Sequence, residues 1–145
     1  MRATWLLPLV AILLHEGAGA QQARAQTFCA ELGKIVPRAE RAFVDIRGAK
    51  TRGGSEVTIS LPEASECWYR DHGSAYWCSW KVPLDRIDEQ FIEFSRRVAA
   101  CYGAARDEDH DNIDKWAYIQ LPRNVEVYIV TDKGQGEINL SIEKK

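Results

Sequence analysis

The chain has 145 residues, with 19 lysines and arginines against 21 aspartates and glutamates, a net charge of −2. So small an imbalance provides no global field for nucleic acid or an anionic membrane. The length suits one domain with a single core.

The first residues read as a secretory leader. Arg2 supplies a positive start, and Trp5 to Leu14 is an apolar run. It is shorter than the roughly 20 residues needed to cross a bilayer. Ala18-Gly19-Ala20 is a small-x-small cleavage site, with Ala23-Arg24-Ala25 as the fallback. Residues 1–20 are therefore expected to be a signal peptide. Residues 21–145 are expected to form one disulfide-stabilised domain, periplasmic or extracellular, with no membrane span.

Gln26 to Ile46 has a helical period. Phe28, Leu32, Ile35, Ala39, Ala42, Phe43 and Ile46 form one apolar stripe. Pro37 cannot donate a backbone hydrogen bond, which predicts a kink or break near Gly33–Pro37. Arg47 to Ser55 reads as a flexible basic loop. Glu56 to Leu61 alternates, with Val57, Ile59 and Leu61 inward, and Pro62 stops it.

Glu66 to Lys81 reads as a β-hairpin turning at His72-Gly73, where Gly73 supplies a positive φ. That register pairs 69 with 76, 68 with 77 and 67 with 78. One face carries Cys67, Tyr69, Tyr76, Cys78 and Trp80. The other carries Trp68, Arg70, Ala75, Trp77 and Ser79.

Asp85 looks like the N-cap of a second helix ending near Tyr102, before Gly103. Arg106 to Asp114 reads as a polar, mostly acidic loop. Strands are expected over Trp116–Leu121, Val125–Val130 and Glu137–Ile142.

The expected fold is α+β, with two helices packed on one face of a mostly antiparallel six-stranded sheet, in the order α-βββ-α-βββ. An internal duplication is one reading of that order. A 60-residue shift places Ile59-Ser60-Leu61-Pro62 on Ile119-Gln120-Leu121-Pro122 and Glu66 on Glu126. Matched periodicity between any two αβββ units is the other reading.

Cys29, Cys67, Cys78 and Cys101 are an even set in a chain read as exported, hence two disulfides. The hairpin register favours 67–78, leaving 29–101. A pairing of Cys101 with the sheet and Cys29 with the other hairpin cysteine remains open. No close C-x-x-C pair supports a zinc site. No metal or cofactor is expected.

Catalytic signals are sparse. His72 and His110 lie in apparent turns, and no nucleophile elbow, zinc-protease motif or phosphate loop occurs. Asp107 to Asp114 has alternating carboxylates. An EF-hand starting at Asp107 would place Asn112 where glycine is needed and Tyr118 where glutamate is needed.

The face turned away from the helices is expected to carry Trp68, Trp77, Trp116, Tyr118 and Tyr128 with Arg70, Thr58, Ser60 and Gln120. Aromatic residues and arginine are enriched at binding hot spots. Cross-strand aromatic pairs also stabilise a sheet without binding anything. The functional expectation is an exported, non-catalytic binding module, protein-binding or inhibitor-like, with a protein or carbohydrate partner on that face. Trp68, Trp77, Arg70, Trp116, Tyr118 and Tyr128 would make the contacts. The alternatives are a small periplasmic hydrolase with a His/Asp acid–base pair, and a structural envelope subunit.

Overall fold

A computed structural model describes residues 16–145. The apolar run of the expected leader, Trp5 to Leu14, lies outside the described residues.

The long apolar stripe does not form one helix. Helix α1 spans Glu16–Ile35, and the chain then tightens into a 3-10 turn over Val36–Arg41 with Pro37 in its first turn. This is the break that Pro37 imposes, since its ring fits a helix start but not a helix interior. Ala42 and Phe43 then adopt left-handed φ angles of 48° and 59°, and Val44–Ile46 is a second short 3-10 turn. Phe28, Leu32, Ile35, Ala39, Phe43 and Ile46 all stay buried. The stripe predicts the burial at every position but Ala42, which stays partly exposed, and it overstates the helix length. The second helix, α2, spans Ile87–Ala100. It is preceded by a 3-10 turn over Leu84–Arg86, so Asp85 is not its N-cap, and no side chain caps it.

The sheet has eight strands rather than six. They are β1 (Arg47–Thr51), β2 (Gly54–Val57), β3 (Glu66–Arg70), β4 (Ala75–Lys81), β5 (Asp107–His110), β6 (Lys115–Leu121), β7 (Val125–Asp132) and β8 (Glu137–Lys144). Every pairing is antiparallel, in the spatial order β1-β2-β3-β4-β8-β7-β6-β5. The order along the chain is therefore α-ββββ-α-ββββ, not α-βββ-α-βββ.

The two added strands are the two sheet edges. The expected basic loop at Arg47–Ser55 is a hairpin, and the expected acidic loop at Arg106–Asp114 contains β5. Neither has the alternation of a half-buried strand, because nearly all side chains of β1 and β5 are exposed on both faces. Charged side chains are a usual feature of such edges. The first inward strand is also displaced. It pairs over Gly54–Val57 instead of Glu56–Leu61, and Thr58 turns aside to donate to the carbonyl of Ile46.

Gly54 shows why β2 begins where it does. A Cβ there would lie 1.8 Å from the carbonyl oxygen of Tyr69 on β3. Gly54→Ala must therefore push β2 away from β3. It should destabilise by about 1–3 kcal/mol, as overpacking does, read as a lower urea midpoint. Gly48→Ala, whose nearest contact would be the Glu56 Cβ at 3.3 Å rather than a backbone oxygen at 1.8 Å, should cost less.

The hairpin register agrees with its sequence reading: Cys67 opposes Cys78, Trp68 opposes Trp77 and Tyr69 opposes Tyr76. Positive φ angles at Gly73 and Ser74 close the turn. Each four-stranded half repeats one pattern of pairing. Lys50↔Ser55 is matched sixty residues on by His110↔Lys115, and Cys67↔Cys78 is matched sixty-two residues on by Ile129↔Leu140. The two halves meet through β4 and β8.

Both helices cover one face of this sheet. Phe28, Leu32, Ile35, Phe91 and Val98 join Tyr69, Tyr76, Val127, Ile129, Leu140 and Ile142 in a single apolar cluster. Tyr76 is fully buried yet satisfied, its hydroxyl donating to the Ile59 carbonyl at 2.9 Å. Disulfides join Cys29 to Cys101 and Cys67 to Cys78. The first ties α1 to the end of α2. The second staples β3 to β4 at a Cα separation of 4.1 Å, on the close side of paired antiparallel residues. Among the described residues, no helix is long and apolar enough to cross a membrane.

Candidate functional site

On the face away from the helices, alternation and register together produce a row of aromatic side chains. Glu56 opposes Trp68, and Trp68 opposes Trp77. Trp77 opposes Ser141, Ser141 opposes Tyr128, and Tyr128 opposes Tyr118. Tyr118 opposes Asp107 on the far edge strand. Two aromatic pairs thus flank the small Ser141, and a carboxylate stands at each end.

The Trp68 and Trp77 rings are 6.1 Å apart, and the Tyr118 and Tyr128 rings 5.0 Å. Tyr118 is exposed, while Trp68, Trp77 and Tyr128 are half-buried. Removal from water pushes the Tyr128 phenol above its ordinary pKa, with Tyr118 and Asp114 adding to the shift.

A second row runs beside the first. Glu66, Ser79, Asn139, Val130, Trp116 and Asp109 oppose one another in turn from β3 to β5. Ser79 donates to Asn139 Oδ1 at 2.6 Å across the central pair of strands. Both residues are buried although they point away from the helices, as is Ser141. Flanking aromatics hem them in, so the centre of the face has a small polar floor between larger walls. On the other side of the aromatic row, Arg70 places its guanidinium 4.6 Å from the Trp77 ring centre. Gln120 spans the β6–β7 turn, donating to the carbonyls of Leu121 and Val125.

All six candidate contact residues therefore share one face. Trp68, Trp77, Tyr118 and Tyr128 fall in a single row, with Trp116 and Arg70 on either side. Thr58 and Ser60 are exposed but lie past the end of β2, outside the sheet.

Strand alternation in the sequence places Glu56 outward and leaves the other carboxylates of this face unassigned. Glu56, Glu66, Asp107, Asp109, Glu126, Asp132, Glu137 and Glu143 share this face by register, against Arg70, Lys81 and Lys145. Lys81 pairs with Glu137, and Lys145 with Glu126 and Glu143. Alternation alone could have found the carboxylates on the inner strands. It could not have found Asp107 and Asp109, because Arg106–Asp114 has the polar, acidic composition of a loop and no alternation.

The catalytic alternative gains no geometry. His72 is exposed in the hairpin turn and His110 exposed on the edge strand. Asp71 bridges to Lys50 at 3.2 Å. The Asp111 carboxylate accepts from the backbone N–H groups of Asp114 and Ile113, which hold it below the usual carboxylate range. The acidic run is thus a strand closed by a capped turn. Among the described residues, no group of three or more histidine, cysteine or acidic side chains is placed to hold a metal.

On the helix side, an open cleft of about 700 Å³ is lined by residues including Arg24, Glu63, Arg86, Glu93 and Arg97. The Arg97 guanidinium stacks on Phe28 at 4.7 Å and Phe94 at 5.2 Å, and its Nε is buried without a hydrogen-bond partner. Burial lowers its pKa from the ordinary arginine value. The helical period predicted the Phe28 and Phe94 positions but gave no sign of the guanidinium between them.

No family model, curated protein or solved structure matches this chain.

Proposed function

We propose that this protein is an exported, non-catalytic binding module that captures its partner on the outer sheet face. The observation that supports this reading is the alignment of Trp68, Trp77, Tyr128 and Tyr118 in one cross-strand row. Large aromatic side chains on a solvent-facing sheet supply much contact area at small entropic cost, the usual composition of a binding hot spot. The two disulfides and the leader-like N-terminus support export, since such bridges persist in oxidising compartments.

Trp68→Ala with Trp77→Ala tests the reading. The double variant should keep the wild-type far-ultraviolet circular dichroism. It should lose about 1 kcal/mol of stability, the scale of a cross-strand aromatic pair. Partner capture from an envelope extract should fall to background, and radical footprinting of the wild-type complex should show Trp68 and Trp77 protected. Undiminished capture by the double variant would exclude this face as the working surface.

A further inference from the structure

We infer that the partner of the outer sheet face is a basic protein segment presenting arginine or lysine side chains to the aromatic row. This rests on the outer face being the working surface.

Charge is the first ground. The whole sequence carries a net charge of only −2. The outer face carries eight carboxylates against three cations, a net of −5 against −2 for the whole sequence, so the rest of the chain carries the balancing positive charge. Segregation of this kind steers a cationic partner towards the face and repels an anionic one.

The second ground is pairing. Glu56, Glu66, Asp107 and Asp109 are exposed and make no ion pair among the described residues. Glu56 and Asp107 terminate the aromatic row, while Glu66 and Asp109 terminate the row beside it. A cation lying along the aromatic row meets rings between two free carboxylates, and Glu66 and Asp109 add two more at the ends of the polar row beside it.

The third ground is that the face already stacks a cation. Arg70 lies 4.6 Å from the Trp77 ring centre and has no carboxylate partner among the described residues. The Arg70–Trp77 pair shows that a ring of this face accepts a guanidinium, tryptophan being the strongest aromatic partner for one, and among the described residues Trp68, Tyr118 and Tyr128 stack no cation. Back-to-back pairing of two copies would instead bring two acidic faces together. A neutral glycan would stack on the rings but leave the carboxylate charges unmatched.

The test uses the full mature protein and a labelled, end-blocked hexa-arginine peptide, followed by anisotropy at low and high salt. Hexa-glutamate and chitohexaose serve as the anionic and neutral probes. One variant replaces Glu56 and Glu66 by glutamine and Asp107 and Asp109 by asparagine. These side chains are exposed, so this variant should fold even if the double tryptophan variant does not. A charge-matched control replaces Glu31, Glu40, Glu89 and Glu93 by glutamine on the helix side.

Hexa-arginine should bind saturably, and both the four-carboxylate variant and Trp68→Ala/Trp77→Ala should weaken it about tenfold or more. The helix-side control should stay within about threefold of wild type, as screened distant charges do. Absence of hexa-arginine binding, or equal weakening by the helix-side control, overturns the inference. If chitohexaose or self-association is lost in the double tryptophan variant while hexa-arginine fails to bind, the face stands as the working surface and the cationic partner does not. If neither peptide, glycan nor a second copy depends on Trp68 and Trp77, both readings fall.

Discussion

Replacing Cys29 and Cys101 together by alanine should lower the stability of the folded chain by about 4 kcal/mol, more than replacing Cys67 and Cys78. The estimate follows from loop closure. This bridge joins residues 72 apart, while Cys67–Cys78 joins residues 11 apart. A cross-link removes entropy from the unfolded ensemble in proportion to the logarithm of loop length, favouring the folded chain by about 4 kcal/mol for the long loop and about 3 kcal/mol for the short one. The melting temperature should fall by roughly 10–20 °C for the first pair and by less for the second. Geometry adds to the difference. Cys67 and Cys78 lie on strands already joined by hydrogen bonds, whereas Cys29 and Cys101 lie on two helices with no backbone pairing between them. A smaller loss for the helix bridge than for the hairpin bridge would show that the unfolded chain retains contacts across the α1–α2 span.

Phe43→Ala should cost about 3–5 kcal/mol, the usual range for deleting a fully buried phenylalanine ring. Phe43 sits beneath the hairpin, with its ring 6.2 Å from Tyr69 and 5.9 Å from Tyr76. It is fully enclosed, so water cannot fill the space left behind. The backbone makes the position harder to repair, because φ is 59° at Phe43 and 48° at Ala42. Two successive left-handed residues direct the ring inward between the 3-10 turns, and a neighbouring side chain cannot take that path. Ala42→Gly should by contrast be neutral or stabilising, since glycine adopts positive φ without strain. Denaturant midpoints of the two single variants check both signs. A mild effect at Phe43 would mean that the segment between α1 and β1 repacks freely.

The outer-face residues were legible in the sequence, but their arrangement was not. Alternation assigned Trp68, Trp77, Trp116, Tyr118 and Tyr128 to one face because a strand's side chains point to opposite sides at every step. Which of them are neighbours depends on β4 pairing with β8, a contact between segments about sixty residues apart. That pairing places Ser141 between Trp77 and Tyr128 and separates the tryptophan pair from the tyrosine pair. The carboxylate margin depends on it too, together with the pairing of β5 against β6 that brings Asp107 beside Tyr118.

The helix side followed the same division. Phe28, Leu32, Ile35, Phe91 and Val98 were identifiable as core from their spacing, and all are buried. The stacking of Arg97 between Phe28 and Phe94 brings together residues of α1 and α2, which no local period encodes.

Local sequence dictated the inward and outward sets of β3, β4, β6, β7 and β8, the register of the β3–β4 hairpin and the break at Pro37. Each follows from a short-range rule: side-chain alternation, turn stereochemistry or a missing N–H donor. Tertiary structure alone decided that the sheet has eight strands, that its two edges are charged and that the aromatic side chains form one row. Edge strands such as Asp107–His110 form because a neighbouring strand offers unpaired backbone groups, whatever side chains they carry. The row exists because distant strands meet in one register, and that register is a property of the assembled sheet.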